Sequence, residues 1–212
     1  MSLKSIKHNP FKVNQMFEEE LCEYTGAPYC VVVDSCTNAL LLSLLYHKVQ
    51  GKDVIVPKRT YLSVAQAVIL SGGIPVFKDM EWSGLYRLDP YPIYDSAKRL
   101  TSDMYIPGSM MCLSFHIKKQ LPIGKGGAIL FDDPNAIEWF KQMRYEGRSE
   151  KNYMEDNIKL TGYNFYMTPE EAARGLTLML NYPASMPDLG ENDGLGYRDL
   201  TEFDVFKKYR TI

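Results

Sequence analysis

The chain is short of the residues that build stapled or metal-bound folds, with four cysteines and three histidines in 212 residues. Cys22, Cys30, Cys36 and Cys112 form no CxxC pair and His8, His47 and His116 are scattered, so neither a disulfide frame nor a zinc site is indicated. Reduced thiols and no metal are expected. Excess charge of one sign is also missing: 24 Lys plus Arg stand against 26 Asp plus Glu, a net charge of −2. That balance gives no reason to expect nucleic acid or an anionic membrane as partner, so any anion site must be local. The longest strongly apolar stretch, around Ala39–Tyr46, is far short of the roughly 20 residues that span a bilayer. The segment from Met1 to Pro10 is polar and lacks the apolar core of a signal peptide, which makes the cytoplasm the expected location.

What is there reads as one globular domain with a small appendage: 45% apolar and 24% charged residues are enough for a sizeable core. Short β-branched runs alternate with segments of helical period, the pattern of βαβ units, which predicts an α/β fold around a parallel or mixed sheet. Strands are expected at Tyr29–Asp34, Asp53–Pro57, Ile74–Asp79, Tyr91–Asp95, Met111–His116 and Gly127–Asp132. Helices are expected at Thr37–Lys48, Tyr61–Ser71, Pro134–Tyr145 and Pro169–Leu180, the last two with Pro at the first turn. After Tyr182 the chain mixes Pro183, Pro187, Gly190, Gly194 and Gly196 with acids, which predicts loop or loosely docked structure.

Three strand exits carry candidate chemistry. The turn Asp34-Ser35-Cys36-Thr37-Asn38 leads from a strand into a helix, where outward N–H groups suit a phosphate. The plainer alternative is that Ser35 or Thr37 only caps the helix, and a third reading makes Cys36 a helix-terminal thiolate. Asp95 ends a strand at the edge where parallel sheets place ligands, though a lone Asp there also serves as a cap or ion-pair partner. Ser114 through Lys119 runs on into Gly124-Lys125-Gly126-Gly127, bringing a hydroxyl, amines and flexible backbone together. Adjacent lysines are commonly a solvated pair, and the glycine run lacks the spacing of a P-loop.

The order of these pieces resembles the DegT-type sugar aminotransferases, pyridoxal-phosphate enzymes of fold type I, from about Phe17 to Leu180. Tyr24-Thr25-Gly26-Ala27 is similar to the family's opening segment, Ser35-Cys36-Thr37-Asn38-Ala39-Leu40 to "SGTxAL", and Pro57-Lys58-Arg59-Thr60-Tyr61 to "P..TY". Gly72 through Asp79 looks like "GG.PVF.D", Tyr94 through Lys98 like the "EDAAQ" run, Ser114 through Ala128 like "SFHxxKxLxxGxGGA", and Gly162 through Ala173 like "GYNxRMTxxxAA".

The resemblance implies a three-layer α/β/α large domain with a mostly parallel sheet over residues 1–182, and a loop-rich tail over 183–212. It implies pyridoxal 5′-phosphate as cofactor, with Lys119, five positions after Ser114, as the Schiff-base lysine. Asp95 would pair with the pyridinium nitrogen, Tyr61 would stack on the ring, and Ser114 with the amides of Cys36 and Thr37 would hold the phosphate. Asn164 would reach in from a second subunit of a homodimer. The implied reaction moves an amino group from an amino acid such as glutamate to a keto-sugar nucleotide.

Three departures bear on that reading. Lys98 stands where the family usually has Gln, placing a cation beside the cofactor and able to shift its protonation. Asp79 and Asp95 lie only 16 positions apart, so a sheet strand and its flanking helices are expected to be missing. The small domain that closes over substrate in the family is essentially absent from this sequence, which keeps open the alternative of a non-catalytic cofactor-binding or scaffold protein.

Overall fold

The computed structural model describes residues 9, 11–190 and 196–212. Local sequence sets most element ends. Helix α1 (Lys12–Thr25) stops at Gly26, whose φ of 76° is left-handed and whose N–H returns to Cys22 O. Strand β1 (Tyr29–Val33) follows. Ser35 is extended and accepts a hydrogen bond from Asn38 N, which starts α2 (Cys36–Tyr46). Next come β2 (Asp53–Pro57), α3 (Ser63–Leu70), β3 (Ile74–Lys78), the two-residue β4 (Tyr86–Arg87), β5 (Ile93–Asp95), β6 (Met110–Ser114) and β7 (Gly127–Phe131). Helix α4 (Pro134–Met143) opens on the Asp133 cap with Pro at its first turn. Helix α5 (Pro169–Met179) opens on a capping box in which the Thr168 hydroxyl and the Glu171 carboxylate accept each other's backbone N–H. The expected elements are present with ends moved by one or two residues. β4 has too few residues to show a period and was not expected.

Strands β1, β7, β6, β5 and β4 form one sheet in that order, while β2 and β3 pair in parallel as a second. The larger sheet is mixed: β5 and β6 are parallel, and β7 runs against both β1 and β6. β7 is reversed because it follows β6 as its immediate neighbour through a loop, without the crossover that a parallel pair needs. Hence β1, β5 and β6 all point the same way.

Side chains alternate strictly across this sheet. Val31, Val33, Cys112, Ile129 and Phe131 join the core under α2, α3 and α4, whereas Val32, Leu113, Ala128 and Leu130 join the core under α1 and α5. This is the three-layer α/β/α arrangement. Helices on both faces explain why YCVVV and GAILF read as unbroken apolar runs with no polar alternation. No helix among the described residues is long and apolar enough to cross a membrane.

The tail, for which loop or loosely docked structure is expected, packs on the core. Among its described residues the backbone is largely irregular, as its prolines and glycines dictate, but Leu200 and Phe206 are buried in the same core as α2 and α3. Phe77 N donates to Arg210 O and Ile212 N donates to Phe77 O, so the last residues add a bridge beside β3. Between β3 and β5 the chain forms only the short strand β4.

Candidate active site

Because β1, β5 and β6 run in one direction, their carboxyl ends deliver the Ser35–Cys36 turn, Asp95 and Ser114 to one edge of the sheet. A cavity of about 730 Å³ opens there. Cys36, Thr37, Tyr61, Asp95, Lys98, Ser114 and Lys119 all line it. Asn164, the remaining expected site residue, does not. It lies at an exposed bridge opposite Tyr145 and donates from Nδ2 to Glu146 Oε1 at 3.1 Å.

Asp95 forms the base of the cavity, at 7% exposure. Its Oδ1 accepts from Ala97 N at 2.9 Å and its Oδ2 accepts from the Tyr86 hydroxyl at 2.7 Å. The Tyr86 proton is thereby used, so the Thr60 hydroxyl, 2.6 Å away, donates to Tyr86. The result is a relay of hydroxyls from β2's exit to the buried carboxylate. Burial raises the Asp95 pKa above the ordinary carboxylate range, opposed by Tyr86, Ala97 N–H and the Lys119 and Lys98 ammonium groups.

The sign of this shift makes a prediction. A carboxyl with a raised folded-state pKa stabilises the fold at low pH and loses that contribution as pH climbs through the raised pKa. Ionised Asp95 is therefore a cost to the ligand-free fold near neutrality. Asp95→Asn is expected to melt at the same temperature as the parent protein or higher at pH 7, with the difference closing below about pH 4. A melting temperature several degrees lower at pH 7 would show instead that the charge holds the fold together.

Opposite Asp95, the amino end of α2 presents the Cys36 and Thr37 backbone. The Thr37 hydroxyl donates to Ser63 Oγ at 2.8 Å, tying the amino ends of α2 and α3 together. Tyr61, just ahead of α3, keeps a 57% exposed ring at the cavity lip. Asp34 is drawn off by Lys125, whose Nζ lies 3.1 Å from Oδ2, and by Asn38. The Cys36 thiol is pushed well up by burial and by nearby Asp95, which opposes the thiolate reading. Its Sγ instead faces Cys112 O at 3.5 Å.

Lys119 is set by a tight loop after β6. Gly124 N donates to Phe115 O at 3.1 Å, Phe115 N donates to Gly126 O at 2.9 Å, and Lys119 N donates to His116 O at 2.8 Å. Lys118 lines the cavity as well, so exposure alone does not separate the two lysines. Electrostatics does, since Lys119 is the one whose charge acts on both Asp95 and Cys36.

Gly127 fits the start of β7 under the α2 turn. A Cβ there would stand 2.5 Å from Cys36 N. Gly127→Ala is expected to displace this turn and cost about 1–3 kcal/mol, an overpacking penalty readable by urea denaturation. An unchanged denaturation midpoint would mean that the turn yields freely.

Trp82, Tyr86 and Tyr197 were not anticipated as site residues. Trp82 and Tyr86 fall in the stretch between Asp79 and Asp95, and Tyr197 in the tail, where no periodicity points to them. The one available cue was aromatic residues in an otherwise polar, glycine-containing stretch.

Residues 2–96 and 106–184 match the DegT/DnrJ/EryC1/StrS aminotransferase family. A UDP-4-amino-4,6-dideoxy-N-acetyl-beta-L-altrosamine transaminase of Campylobacter jejuni is 25% identical over 209 residues, covering 78% of this chain and 55% of that protein. The spore coat polysaccharide biosynthesis protein SpsC of Bacillus subtilis is likewise 25% identical over 214 residues, covering 76% and 55%. The chain thus spans little more than half the length of these curated relatives. Among solved structures, PseC of Helicobacter pylori, an aminotransferase involved in the biosynthesis of pseudoaminic acid, superposes with a TM-score of 0.69 at 22% identity, covering 81% of this chain and 58% of its own. A DegT DnrJ EryC1 StrS aminotransferase from Brucella abortus reaches a TM-score of 0.75 at 17% identity, covering 94% and 80%. These likenesses show the fold, and the match over most of its length shows that the chain belongs to the DegT/DnrJ/EryC1/StrS aminotransferase family.

Proposed function

We propose that the chain binds pyridoxal 5′-phosphate and transfers an amino group from an amino acid, such as glutamate, to a keto-sugar nucleotide. The observation that carries this reading is the convergence of Lys119, Asp95, Ser114 and the amino end of α2 on one cavity. Its volume of about 730 Å³ suits a small-molecule site. The residues fit the cofactor chemically. A buried carboxylate whose pKa is raised by burial is offset by a protonated ring nitrogen, and the N–H groups opening α2 suit a phosphate. The names of the relatives, which are sugar transaminases and a polysaccharide biosynthesis protein, support the substrate class.

Bound pyridoxal phosphate supplies an electron sink for the substrate carbanion. The chain supplies the rest. Asp95, oriented by Tyr86 and Ala97, holds a proton on the ring nitrogen. The Cys36 and Thr37 amides and the Ser114 hydroxyl hold the phosphate, and Tyr61 covers the ring. Lys119 Nζ would take the proton from the donor Cα and give it back two bonds away, across the intervening nitrogen, acting as base and then acid. Lys98 keeps a second cation near Asp95 and Lys119.

The same reading takes residues 1–182 as the cofactor-binding unit, with a cytoplasmic homodimer as the working assembly. The exposed position of Asn164, away from its own chain's cavity, supports its serving the partner's site.

The test is reduction of the protein with borohydride after adding pyridoxal phosphate, followed by peptide mapping. Label confined to Lys119 is expected. Label spread over surface lysines, or none, would remove the cofactor assignment.

A further inference from the structure

We propose that the described residues of the chain's C-terminal segment, 183–190 and 196–212, form one wall of the cavity, with Tyr197 as the positioning residue that fastens it. The role in retaining cofactor rests on the function proposed above. The wall itself rests on geometry alone.

Pro183 and Pro187 lack the N–H that regular backbone pairing needs, so residues 183–190 are fastened by individual contacts. It is fastened on both sides of the cavity. On the β5–β6 side, Arg99 grips Asp188 through two parallel bonds of 2.8 and 2.6 Å, a geometry that fixes orientation as well as distance. Leu189 N donates to Lys98 O at 3.0 Å, and Gln120, beside Lys119, donates to Pro187 O. On the β2–β3 side, Leu200 N donates to Lys58 O at 2.9 Å and Phe206 packs on Phe77 with ring centroids 5.7 Å apart. Between these anchors Leu189, Gly190 and Tyr197 line the cavity.

Tyr197 makes the contact that couples wall to site. Its ring stacks on Trp82 at 6.2 Å and 24°, and the Lys98 ammonium stands 5.1 Å from the Tyr197 ring and 5.5 Å from Trp82. Two aromatic faces hold one cation at the cavity edge, a partly desolvated geometry in which such contacts are strong. Trp82 is itself fixed, donating from Nε1 to Arg59 O at 2.9 Å and meeting Tyr86 edge-on at 4.7 Å. Since Tyr86 bonds Asp95, an unbroken line of contacts runs from the tail through Trp82 and Tyr86 to the buried carboxylate.

The chain contains two tryptophans, Trp82 and Trp139, and Trp139 packs on Tyr46 in the core under α4. A Trp139→Phe background therefore makes Trp82 the sole indole reporter. In that background Tyr197→Ala is expected to raise acrylamide quenching of Trp82 without cofactor, and to weaken pyridoxal phosphate binding about tenfold by fluorescence titration. Tyr197→Phe is expected to preserve both. Asp188→Ala, which lies outside the cavity lining, should loosen both by freeing the first anchor. Quenching and affinity unchanged in Tyr197→Ala and Asp188→Ala would overturn the wall. If the parent protein fails to bind cofactor while quenching still rises in the variants, the wall stands and the proposed function falls.

Discussion

Lys119→Met is expected to lower transamination by roughly 10²–10⁴-fold, the range associated with loss of a positioned acid–base group. It should also abolish the borohydride label. The neighbouring Lys118→Met should stay within a few-fold of the parent protein in rate and keep the label, although both side chains reach the same cavity. The difference follows from what each ammonium faces. Lys119 is among the charges that act on both the buried Asp95 carboxylate and the Cys36 thiol, and Lys118 is not among those for either. Single-turnover absorbance with an amino acid donor, followed for both variants, checks the pair. Comparable losses in the two would mean that the loop after β6 presents its lysines interchangeably and that Lys119 has no assigned task.

Strand ends were legible in the sequence because chemistry and local structure coincide there. Asp95, Ser114 and the Ser35–Thr37 turn each close an apolar run, and a parallel-strand edge is where such residues can meet. That they share one cavity follows from β1, β5 and β6 pointing the same way, a property of the whole sheet. The reversal of β7, which makes the sheet mixed, depended on β7 taking the place between β1 and β6, and no residue within GAILF encodes that choice. Trp82 and Tyr197 were illegible for a related reason. Their meaning lies in each other and in Lys98, 99 residues from Tyr197 in one case and 16 from Trp82 in the other. Lys98 itself was visible as a departure from the family pattern, but its aromatic surroundings were not.

The buried pair Glu18–Arg144 was equally hidden, and it carries the largest expected stability effect. β1 is the edge strand of the larger sheet, so one side of it has no strand to bond. Val32 N donates to Glu18 Oε1 at 3.0 Å, and Arg144 Nη1 donates to Val32 O as well as to Glu18. The ion pair therefore acts as a substitute strand, capping an edge that lies under helices and out of reach of water. Glu18 sits in α1, and Arg144 directly follows α4, which explains why nothing local in either segment announces the pairing. Arg144→Met is expected to cost about 3–5 kcal/mol, since it strands a buried carboxylate. At roughly 2–4 °C per kcal/mol for a chain of this size, the melting temperature should drop by about 6–20 °C. An isolated buried ion pair can often be exchanged for apolar side chains without loss. Here that exchange should fail, because Glu18→Leu with Arg144→Met leaves both Val32 backbone groups unpaired, at about 1–3 kcal/mol each. Thermal melts of the two single variants and the double decide the matter. A double variant as stable as the parent would reduce the pair to an ordinary buried ion pair. A double variant no better than the singles would show that β1, and with it the Ser35–Cys36 turn at its end, is held in place by two side chains from opposite parts of the sequence.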